Sequence, residues 1–285
     1  MSKPKVSIIV LNWNGYKDTV ECLKSLKDIA YPNFEVIVVD NASSGKDVEI
    51  FKTYINETTK LIVNEENFGF SKGNNVGVRE ALKDKEVKYI VFLNNDTVVD
   101  KKFLDFLVDA AEKNSEIAIA GPKMYYYDYD GKSNVVWFGG GKINWFSPPG
   151  HYHIDQYIED DNNAPTGKIK AVDWISGACL MLNIRKIDPY LNEEYFFGCE
   201  DIDKCLKAKK QRLLVAYIED AKIWHKVGKS RVRGWRQNLK ADLTDFKLIK
   251  NNNCLWIFII PYFSLVIIFR IFFKNIKKLL KKFIV

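Results

Sequence analysis

Three acidic residues begin a predicted helix in the segment Phe196-Phe197-Gly198-Cys199-Glu200-Asp201-Ile202-Asp203. The partial positive charge at a helix N-terminus stabilises ionised carboxylates. A carboxylate that stays ionised at neutral pH can accept a proton from a hydroxyl group. The segment therefore predicts a general base, although a helix with favourable N-terminal charge and no catalytic role would have the same residues.

Polar residues also follow each of the first four predicted strands. Their sequences are Asn12-Trp13-Asn14-Gly15, Asp40-Asn41-Ala42-Ser43, Asn64 leading to Asn67, and Asn94-Asn95-Asp96. In open α/β sheets the ligand site lies beyond the carboxyl ends of the strands. Four such ends predict a polar ligand at this edge, whereas any one of them alone is also an ordinary turn.

Two features at this edge suit a phosphate-bearing ligand. The Gly- and Asn-rich segment Asn67–Gly77 opens a helix, and its backbone N–H groups can approach an anion closely. It is neither a Walker loop nor a G-x-G-x-x-G motif, which argues against an NTPase or a dinucleotide enzyme. Asp96 can hold Mg²⁺ or Mn²⁺ if phosphate oxygens and water complete the shell.

The three histidines are weaker candidates. His225 follows a predicted strand, and a lone histidine is more often structural than a ligand, although histidine is a common metal ligand. His151 and His153 are expected to be loop residues.

Short apolar runs rich in β-branched residues must position these polar groups. They are Val6–Leu11, Phe34–Val39, Leu61–Val63, Tyr89–Leu93 and Ile117–Ala120. They lack polar alternation, as expected for parallel strands that are covered on both faces. Helical patterns separate them, including one with Leu23 and Leu26 inward, one capped by Ser71 and ending near Leu82, and one over Lys102–Lys113. This alternation predicts a doubly wound, mostly parallel, Rossmann-like α/β sheet.

Residues 125–170 interrupt the pattern with Tyr125-Tyr126-Tyr127, Gly139-Gly140-Gly141 and Pro148-Pro149. We expect an irregular insert over the sheet. A helix is predicted near Asp201–Lys210, followed by strands near Leu213–Ile218 and Ala221–Trp224. The predicted domains are a catalytic domain over residues 1–235 and a C-terminal helical segment over residues 236–285.

Composition excludes several classes of protein. The chain has 285 residues, 47% of them apolar, and a net charge of +7, which excludes a disordered chain or a collagen-like fibre. Residues 222–285 carry +13 and residues 1–221 carry −6. An acidic N-terminal part followed by a basic C-terminal part predicts a soluble domain with a segment that anchors it to an anionic surface. This distribution of charge predicts no nucleic-acid partner. Five cysteines without a C-x-x-C pair argue against a disulfide framework or a zinc site.

The C-terminal segment predicts attachment to a membrane surface. Leu255–Phe269 has no charged residue, is interrupted by Pro261, and is shorter than the ~20 residues of a span. Further on, apolar residues occupy one helical face and lysines the other, as in a basic helix that lies in the membrane interface; the residues are Ile276, Leu279, Leu280 and Phe283 against Lys274, Lys277, Lys278, Lys281 and Lys282. The other interpretation is a helix that packs on the enzyme itself or on a dimer partner. Because Met1-Ser2-Lys3-Pro4 runs directly into an apolar strand, we expect no signal peptide and residence at the cytoplasmic side of the membrane, peripheral or monotopic.

Taken in order, these motifs resemble the inverting family-2 glycosyltransferases, which have a GT-A fold. The resemblance covers roughly residues 5–235, and the motifs N-F-G-F-x-x-G-N-N and L-N-N-D-T are most similar to those of rhamnosyltransferase-like members. It implies transfer of a sugar, with rhamnose as a candidate, from a dTDP- or UDP-sugar. The acceptor would be a hydroxyl of a cell-surface glycan or a lipid-linked glycan, and the insert over residues 125–170 would govern the choice of acceptor.

The resemblance also implies roles for individual residues. Asp201 would be the catalytic base, with Glu200 the second choice, and Asp96 and His225 would contact a divalent cation, Mg²⁺ or Mn²⁺, or the diphosphate. The nucleotide-sugar site would contain Asn12, Asn14, Asp40, Asn41, Asn67, Gly69, Asn74, Asn94 and Asn95. Asn94 stands where many relatives have the first acid of a D-x-D motif, so strict metal dependence is not implied.

Two rival functions remain open from the sequence. A nucleotidyltransferase also uses a nucleotide-binding α/β sheet, but Asn12–Gly15 lacks the basic phosphate-gripping signature. A catalytically inactive protein that binds a sugar nucleotide or a glycan is the other alternative, and Asn94 motivates it.

Overall fold

The computed structural model describes residues 3–145, 150–160, 164–227 and 235–252, together with 261 and 264–265; for 235–242 it describes the backbone only. The strands are β1 (Lys5–Asn12), β2 (Phe34–Asp40), β3 (Thr59–Val63), β4 (Val87–Asn94), β5 (Thr97–Val99), β6 (Ile117–Tyr126), β7 (Val136–Phe138), β8 (Gly141–Asn144), β9 (Gly150–His153), β10 (Ile169–Ala171), β11 (Cys179–Asn183) and β12 (Leu214–His225). The helices are α1 (Tyr16–Lys27), α2 (Asp47–Lys52), α3 (Gly69–Ala81), α4 (Phe103–Lys113), α5 (Glu200–Lys210) and α6 (Trp235–Asn252).

The main sheet is mixed. Its order is β10-β12-β6-β11-β4-β1-β2-β3, with β5 paired to β12 and β7 paired to β6. The four strands β3-β2-β1-β4 are parallel, as predicted. Beyond β4 the prediction of a mostly parallel sheet is wrong, because β11 is antiparallel to both β4 and β6, and β10 and β5 are antiparallel to β12.

Three of the four parallel strands, β1, β2 and β4, have the two-sided burial that their apolar runs predict. The prediction is wrong for β3 at the edge of the sheet, which is only partly buried and whose Val63 is 50% exposed. Val6 and Ile8–Val10 of β1 are fully buried, and so are most residues of β2 and β4. Helix α3 packs against β1, β2 and β4. A Cβ atom at Gly77 would lie 2.6 Å from Ile9 Cγ2, so glycine lets the helix approach the sheet closely.

Several element boundaries differ from the prediction. Helix α3 begins at Gly69, so Ser71 lies inside the helix and is not its cap. The two strands predicted over 213–224 are one strand, β12, with a register shift between Ile218 and Lys222. The segment 125–170 is more regular than expected, since it holds β7, β8 and β9 in addition to the end of β6 and the start of β10. Short strands of three or four residues carry too little periodicity to be recognised in a sequence.

By compactness the chain divides into two units. The first comprises Met1–Lys142 and His153–Val232, and the second comprises Ile143–Tyr152 and Arg233–Val285. Within the second unit, His151 Nδ1 lies 3.9 Å from Asp245 Oδ1. Among the helices that the structure describes, none combines the length and apolarity needed to cross a membrane. Most of the predicted apolar run, and the lysine-rich residues after it, lie outside the described residues.

Candidate active site

The carboxyl ends of β1 and β2 are joined by a buried hydrogen-bond cluster around Asn12. Its Nδ2 donates to Asp40 Oδ1 at 2.8 Å and to Asp47 Oδ1 at 3.0 Å, and its Oδ1 accepts from Thr19 Oγ1 at 2.7 Å. Asn12 and Asp40 are completely buried. Because both side chains are completely buried, these two residues support the residues at the edge of the sheet. A direct contact with a ligand would require them to become exposed.

Asn14 forms the exposed part of the same corner. Its backbone N–H donates to Ser43 Oγ at 2.8 Å, and its Oδ1 accepts from the Ser44 N–H at 2.9 Å. Its φ of 53° is left-handed, which asparagine tolerates better than most residues. The neighbouring Trp13 is 57% exposed, so this corner presents an aromatic ring and an amide to solvent.

Asn41 connects the end of β2 to the loop that opens α3. Its Nδ2 donates to Asn67 Oδ1 at 2.8 Å and to the Gly69 carbonyl at 3.1 Å. Its Oδ1 accepts from Asn64 Nδ2 at 3.0 Å and from the Phe68 N–H at 3.2 Å. Both N–H donors and both acceptor positions of this buried side-chain amide are thus occupied, and these four hydrogen bonds fix the loop.

Asn74, predicted to line the donor site, is buried inside α3. It donates to the Phe70 carbonyl at 2.9 Å, four residues earlier. Its role in this structure is to reinforce the first turn of the helix.

The loop before α3 is held directly against the loop before α5. The Phe70 N–H donates to the Phe196 carbonyl at 2.7 Å. Gly69 has φ +76°, and a Cβ atom there would lie 2.6 Å from the Phe196 carbonyl oxygen. Glycine is therefore required for this contact. As a result, the Asn-rich loop and the acidic helix start are neighbours.

The carboxylate of Asp201 is fixed by two backbone donors. Its Oδ2 accepts from the Gly177 N–H at 2.7 Å, and its Oδ1 accepts from the Ile202 N–H at 2.8 Å. Both bonds stabilise the charged form and set the orientation of the side chain. The side chain remains half-buried, and it is the first-turn acid of α5 nearest to Gly177.

Glu200 has a different environment, although it is the adjacent residue. It is only 6% exposed, and its Oε2 has no hydrogen-bond partner among the described residues. Burial and then the negative charge of Asp201 raise the pKa of Glu200 to about 8. Glu200 is therefore mostly protonated at neutral pH, so the carboxyl groups of Glu200 and Asp201 have different chemical properties although the residues are adjacent.

Asp96 and His225, which are far apart in the sequence, meet at the other end of this edge. Strand β5 pairs antiparallel with β12 and places Thr97 opposite His225. As a result, His225 Nε2 lies 3.1 Å from Asp96 Oδ1. The ring of Trp137 packs edge to face against His225, with ring centroids 4.4 Å apart.

This pair fits a divalent cation. Adjacent ligands of an octahedral ion with bonds of about 2.1 Å lie about 3 Å apart, which agrees with the 3.1 Å between Asp96 Oδ1 and His225 Nε2. One carboxylate and one imidazole leave the other positions to phosphate oxygens and water. The side chain of Asn94, half-buried at the end of β4, lies two residues before Asp96.

Asn95 links this pair to the corner formed by β1 and β2. Its Nδ2 donates to Thr19 Oγ1 at 2.9 Å and to Asn12 Oδ1 at 3.3 Å. Hydrogen bonds therefore connect Asn95 to Asn12, and Asn12 to Asn41, whose N–H donates to the Asn12 carbonyl at 2.8 Å. Asp201 lies beside the end of β4, because its partner Gly177 precedes Ala178, whose carbonyl accepts from the Asn94 N–H at 2.9 Å.

Several supporting residues were not recognised in the sequence. Asp47 and Thr19 hold Asn12. Lys226, next to His225, forms ion pairs with Asp18 at 2.7 Å and Glu21 at 2.6 Å, which raise the pKa of Lys226 and tie α1 to the end of β12. The position of Asp47 in the first turn of a helix was the only sequence signal among these.

The fold and this edge define the class of protein: an α/β protein whose parallel strands end at a polar site completed by an acidic helix start, as in GT-A enzymes. The family model for glycosyl transferase family 2 matches residues 7–172. The chain belongs to this family, and the predicted resemblance is confirmed.

Individual relatives and structures agree with this assignment. The chain is 24% identical over 217 residues to the low-salt glycan biosynthesis hexosyltransferase Agl10 of Haloferax volcanii, covering 75% of this chain and 64% of that protein. It is 27% identical over 229 residues to the dTDP-rhamnosyl transferase RfbF of Shigella flexneri, covering 79% of this chain and 70% of that protein. The fold is shared with the mannosyltransferase PcManGT of Pyrobaculum calidifontis, solved with GDP-Man and Mn²⁺, at a TM-score of 0.62 and 14% identity, covering 88% of this chain and 65% of that one. The chain thus spans slightly less than two thirds of the Haloferax and Pyrobaculum proteins.

Proposed function

We propose that this protein transfers a sugar from a nucleotide-diphosphate sugar to a hydroxyl group of a glycan or a lipid-linked glycan, with inversion in a single displacement. The observation that carries this proposal is the Asp201 carboxylate, which the Gly177 and Ile202 N–H groups orient at the start of α5. Family membership and the fold of its structural neighbours support the same reaction class.

Asp201 is the proposed general base. Its carboxylate takes the proton of the acceptor hydroxyl while the hydroxyl oxygen forms a bond to the anomeric carbon. The bond between that carbon and the diphosphate oxygen breaks, and the nucleoside diphosphate leaves. Glu200 is the weaker choice, because a buried carboxyl group whose pKa is raised to about 8 holds its own proton at neutral pH.

The donor is proposed to lie along the edge from Asn14 to Asp96. Asn14 and Asn67 present the more exposed groups near the nucleotide end, whereas Asn12, Asp40, Asn41, Gly69 and Asn74 support them from below. Asp96 and His225 would hold Mg²⁺ or Mn²⁺, and Asn94 and Asn95 would lie beside the diphosphate. When bound, the cation would offset the charge that develops on the departing diphosphate.

The donor sugar is proposed to be rhamnose carried by dTDP, with UDP as the other nucleotide. Two observations support this choice. The chain contains the motifs N-F-G-F-x-x-G-N-N and L-N-N-D-T, and it is similar to the Shigella dTDP-rhamnosyl transferase.

The proposed location is the cytoplasmic surface of the cell membrane. Support comes from the lysine-rich, amphipathic pattern of the C-terminal sequence, which favours an anionic lipid surface. A lipid-linked acceptor would place the substrate at the same surface.

One alternative function has a specific observation in its favour. A protein that binds a sugar nucleotide or a glycan without catalysis would not need the first acid of a D-x-D motif, and Asn94 stands at that position. Such a protein would bind the donor but would release no nucleotide.

A panel of dTDP-, UDP- and GDP-sugars tests the proposal, with nucleotide release measured with and without a membrane extract as acceptor source. We expect one donor to give acceptor-dependent release, and Asp201→Asn to lower it by ~10²–10⁴-fold with donor binding retained. Glu57→Gln, a change at an exposed position, is the control. Donor binding without any release would favour the inactive binder, and full release by Asp201→Asn would move the base to Glu200.

A further inference from the structure

We propose that Tyr126, Tyr129 and Tyr157, here called the tyrosine cluster, form a stacking subsite for a sugar ring of the acceptor glycan. This inference rests on the proposed function, because only a glycosyltransferase has a glycan acceptor. It assigns a ligand to part of the 125–170 segment.

The three rings form one partly exposed aromatic surface. The centroids of Tyr126 and Tyr129 are 5.0 Å apart, and Tyr157 lies 5.7 Å from each of them. Tyr157 is 58% exposed and Tyr129 is 37% exposed, so ring surface remains open to solvent. Clustered exposed aromatic residues mark interaction sites more often than scattered ones do.

The backbone at Tyr157 indicates that its ring has a purpose other than folding. Its φ of 68° is left-handed, a conformation that glycine and asparagine adopt easily and that is a true outlier for a bulky residue. Burial does not offset this strain, since more than half of the side chain is exposed. Hydrogen bonds from the Tyr157 N–H to the Val136 carbonyl and from the Val136 N–H to the Ile158 carbonyl, both 2.8 Å, hold the conformation. Strain of this kind concentrates at functional sites.

A tight hairpin positions Tyr129. Asp130 and Gly131 have φ values of 51° and 82°, the positive pair that an Asp-Gly hairpin turn requires. Tyr129 and Lys132 exchange both backbone hydrogen bonds across this turn, at 2.9 and 3.0 Å. The hairpin is therefore rigid enough to present a fixed ring.

The register of the sheet puts the tyrosine cluster beside the proposed cation site. Tyr126 of β6 pairs with His225 of β12, and the preceding pair, Tyr125 and Trp224, stacks with centroids 5.9 Å apart. Because successive strand residues point to opposite faces, Tyr126 and His225 share the other face. His225 is the residue that contacts Asp96. A ring bound on the cluster would thus lie near the diphosphate end of the donor.

A carbohydrate ring is the ligand that this chemistry fits. The C–H groups on one face of a pyranose are weakly positive and suit the negative face of an aromatic ring. Its hydroxyl groups need polar neighbours, and these are present as the tyrosine hydroxyls and as Gln156, whose Nε2 donates to Tyr126 Oη at 3.1 Å. The ion pair between Lys132 and Glu159, at 2.5 Å, adds polar groups close to the hairpin.

Saturation-transfer NMR on the full chain tests the subsite. The probes are methyl pyranosides of glucose, galactose, mannose and rhamnose, with UDP and dTDP in the same samples to report the nucleotide site. Tyr157→Gly removes the ring and relieves the left-handed strain, and Tyr157→Asn is a second variant with a tolerated backbone. Arg212→Gly is the matched control, because it changes an exposed left-handed residue outside the 125–170 segment and leaves the tyrosine cluster and its hairpin unchanged.

We expect at least one pyranoside to receive saturation on its C–H protons from the wild type and from Arg212→Gly. Both Tyr157 variants should weaken that binding by roughly threefold to tenfold, without loss of thermal stability. A wild type that saturates no pyranoside, or Tyr157 variants with unchanged pyranoside signals, would overturn the proposal. Loss of the nucleotide signal in those variants would also overturn it, because the rings would then belong to the donor site. A wild type that binds pyranosides but neither nucleotide would contradict the proposed function and leave the subsite intact.

Discussion

Replacement of Glu200 by glutamine should change how the stability of the protein depends on pH. Glu200 is buried, and its pKa is raised from 4.5 to about 8, first by burial and then by the charge of Asp201. An acid with a raised pKa in the folded state binds its proton more tightly there than in the unfolded chain. Its contribution to stability is therefore present at pH values below 4.5 and is lost as the pH rises from 4.5 to about 8.

The size of the effect follows from the same values. A pH of 7 is 2.5 units above 4.5, the ordinary pKa that Glu200 has in the unfolded chain, and each pH unit corresponds to ~1.4 kcal/mol. Ionisation of Glu200 therefore stabilises the unfolded chain relative to the folded state by about 3 kcal/mol at this pH. Near pH 5 the cost is only about 1 kcal/mol. Because glutamine does not titrate, the wild type should lose about 2 kcal/mol more than Glu200→Gln between pH 5 and pH 7.

Urea unfolding at several pH values between about 5 and 8, followed by tryptophan fluorescence, measures this difference. Glu57→Gln serves as the control, because Glu57 is exposed and its side chain stays hydrated in both states. Parallel stability curves for the wild type and Glu200→Gln would refute the reasoning. They would mean that Glu200 is ionised in the folded protein and is again a candidate for the base.

Three further predictions concern the other parts of the molecule. Asp96→Ala should abolish any EDTA-sensitive part of donor binding, measured by calorimetry; binding that is equally strong with EDTA in both proteins would remove the cation from the site. Gly69→Ala should destabilise the protein by ~1–3 kcal/mol in thermal or urea unfolding, since its φ is +76° and its new Cβ would lie 2.6 Å from the Phe196 carbonyl oxygen; unchanged stability would show that the two loops separate easily. Truncation after Asn253 should release the protein from anionic liposomes in a flotation assay while donor binding is retained; a full-length chain that ignores such liposomes would contradict the anchor.

Much of the fold is predictable from the sequence because the relevant signals are local. The runs Val6–Leu11, Phe34–Val39 and Tyr89–Leu93 are apolar throughout, and each became a strand buried on both faces. The polar residues after them reach one edge because parallel strands end on the same side of a sheet. The start of α5 at Glu200 follows equally from its cluster of acids.

The sequence by itself thus determined the family, the parallel half of the sheet and the edge where the site lies. Only the tertiary structure decided which groups meet there and in what state. The contact between Asp96 and His225 depends on the pairing of β5 with β12, and a three-residue strand leaves no readable pattern. Glu200 and Asp201 are adjacent and both acidic, yet Glu200 is buried and its Oε2 has no hydrogen-bond partner among the described residues, whereas Asp201 is held by the Gly177 N–H. Register, burial and the resulting protonation state depend on contacts between distant segments, and a local sequence pattern does not contain them.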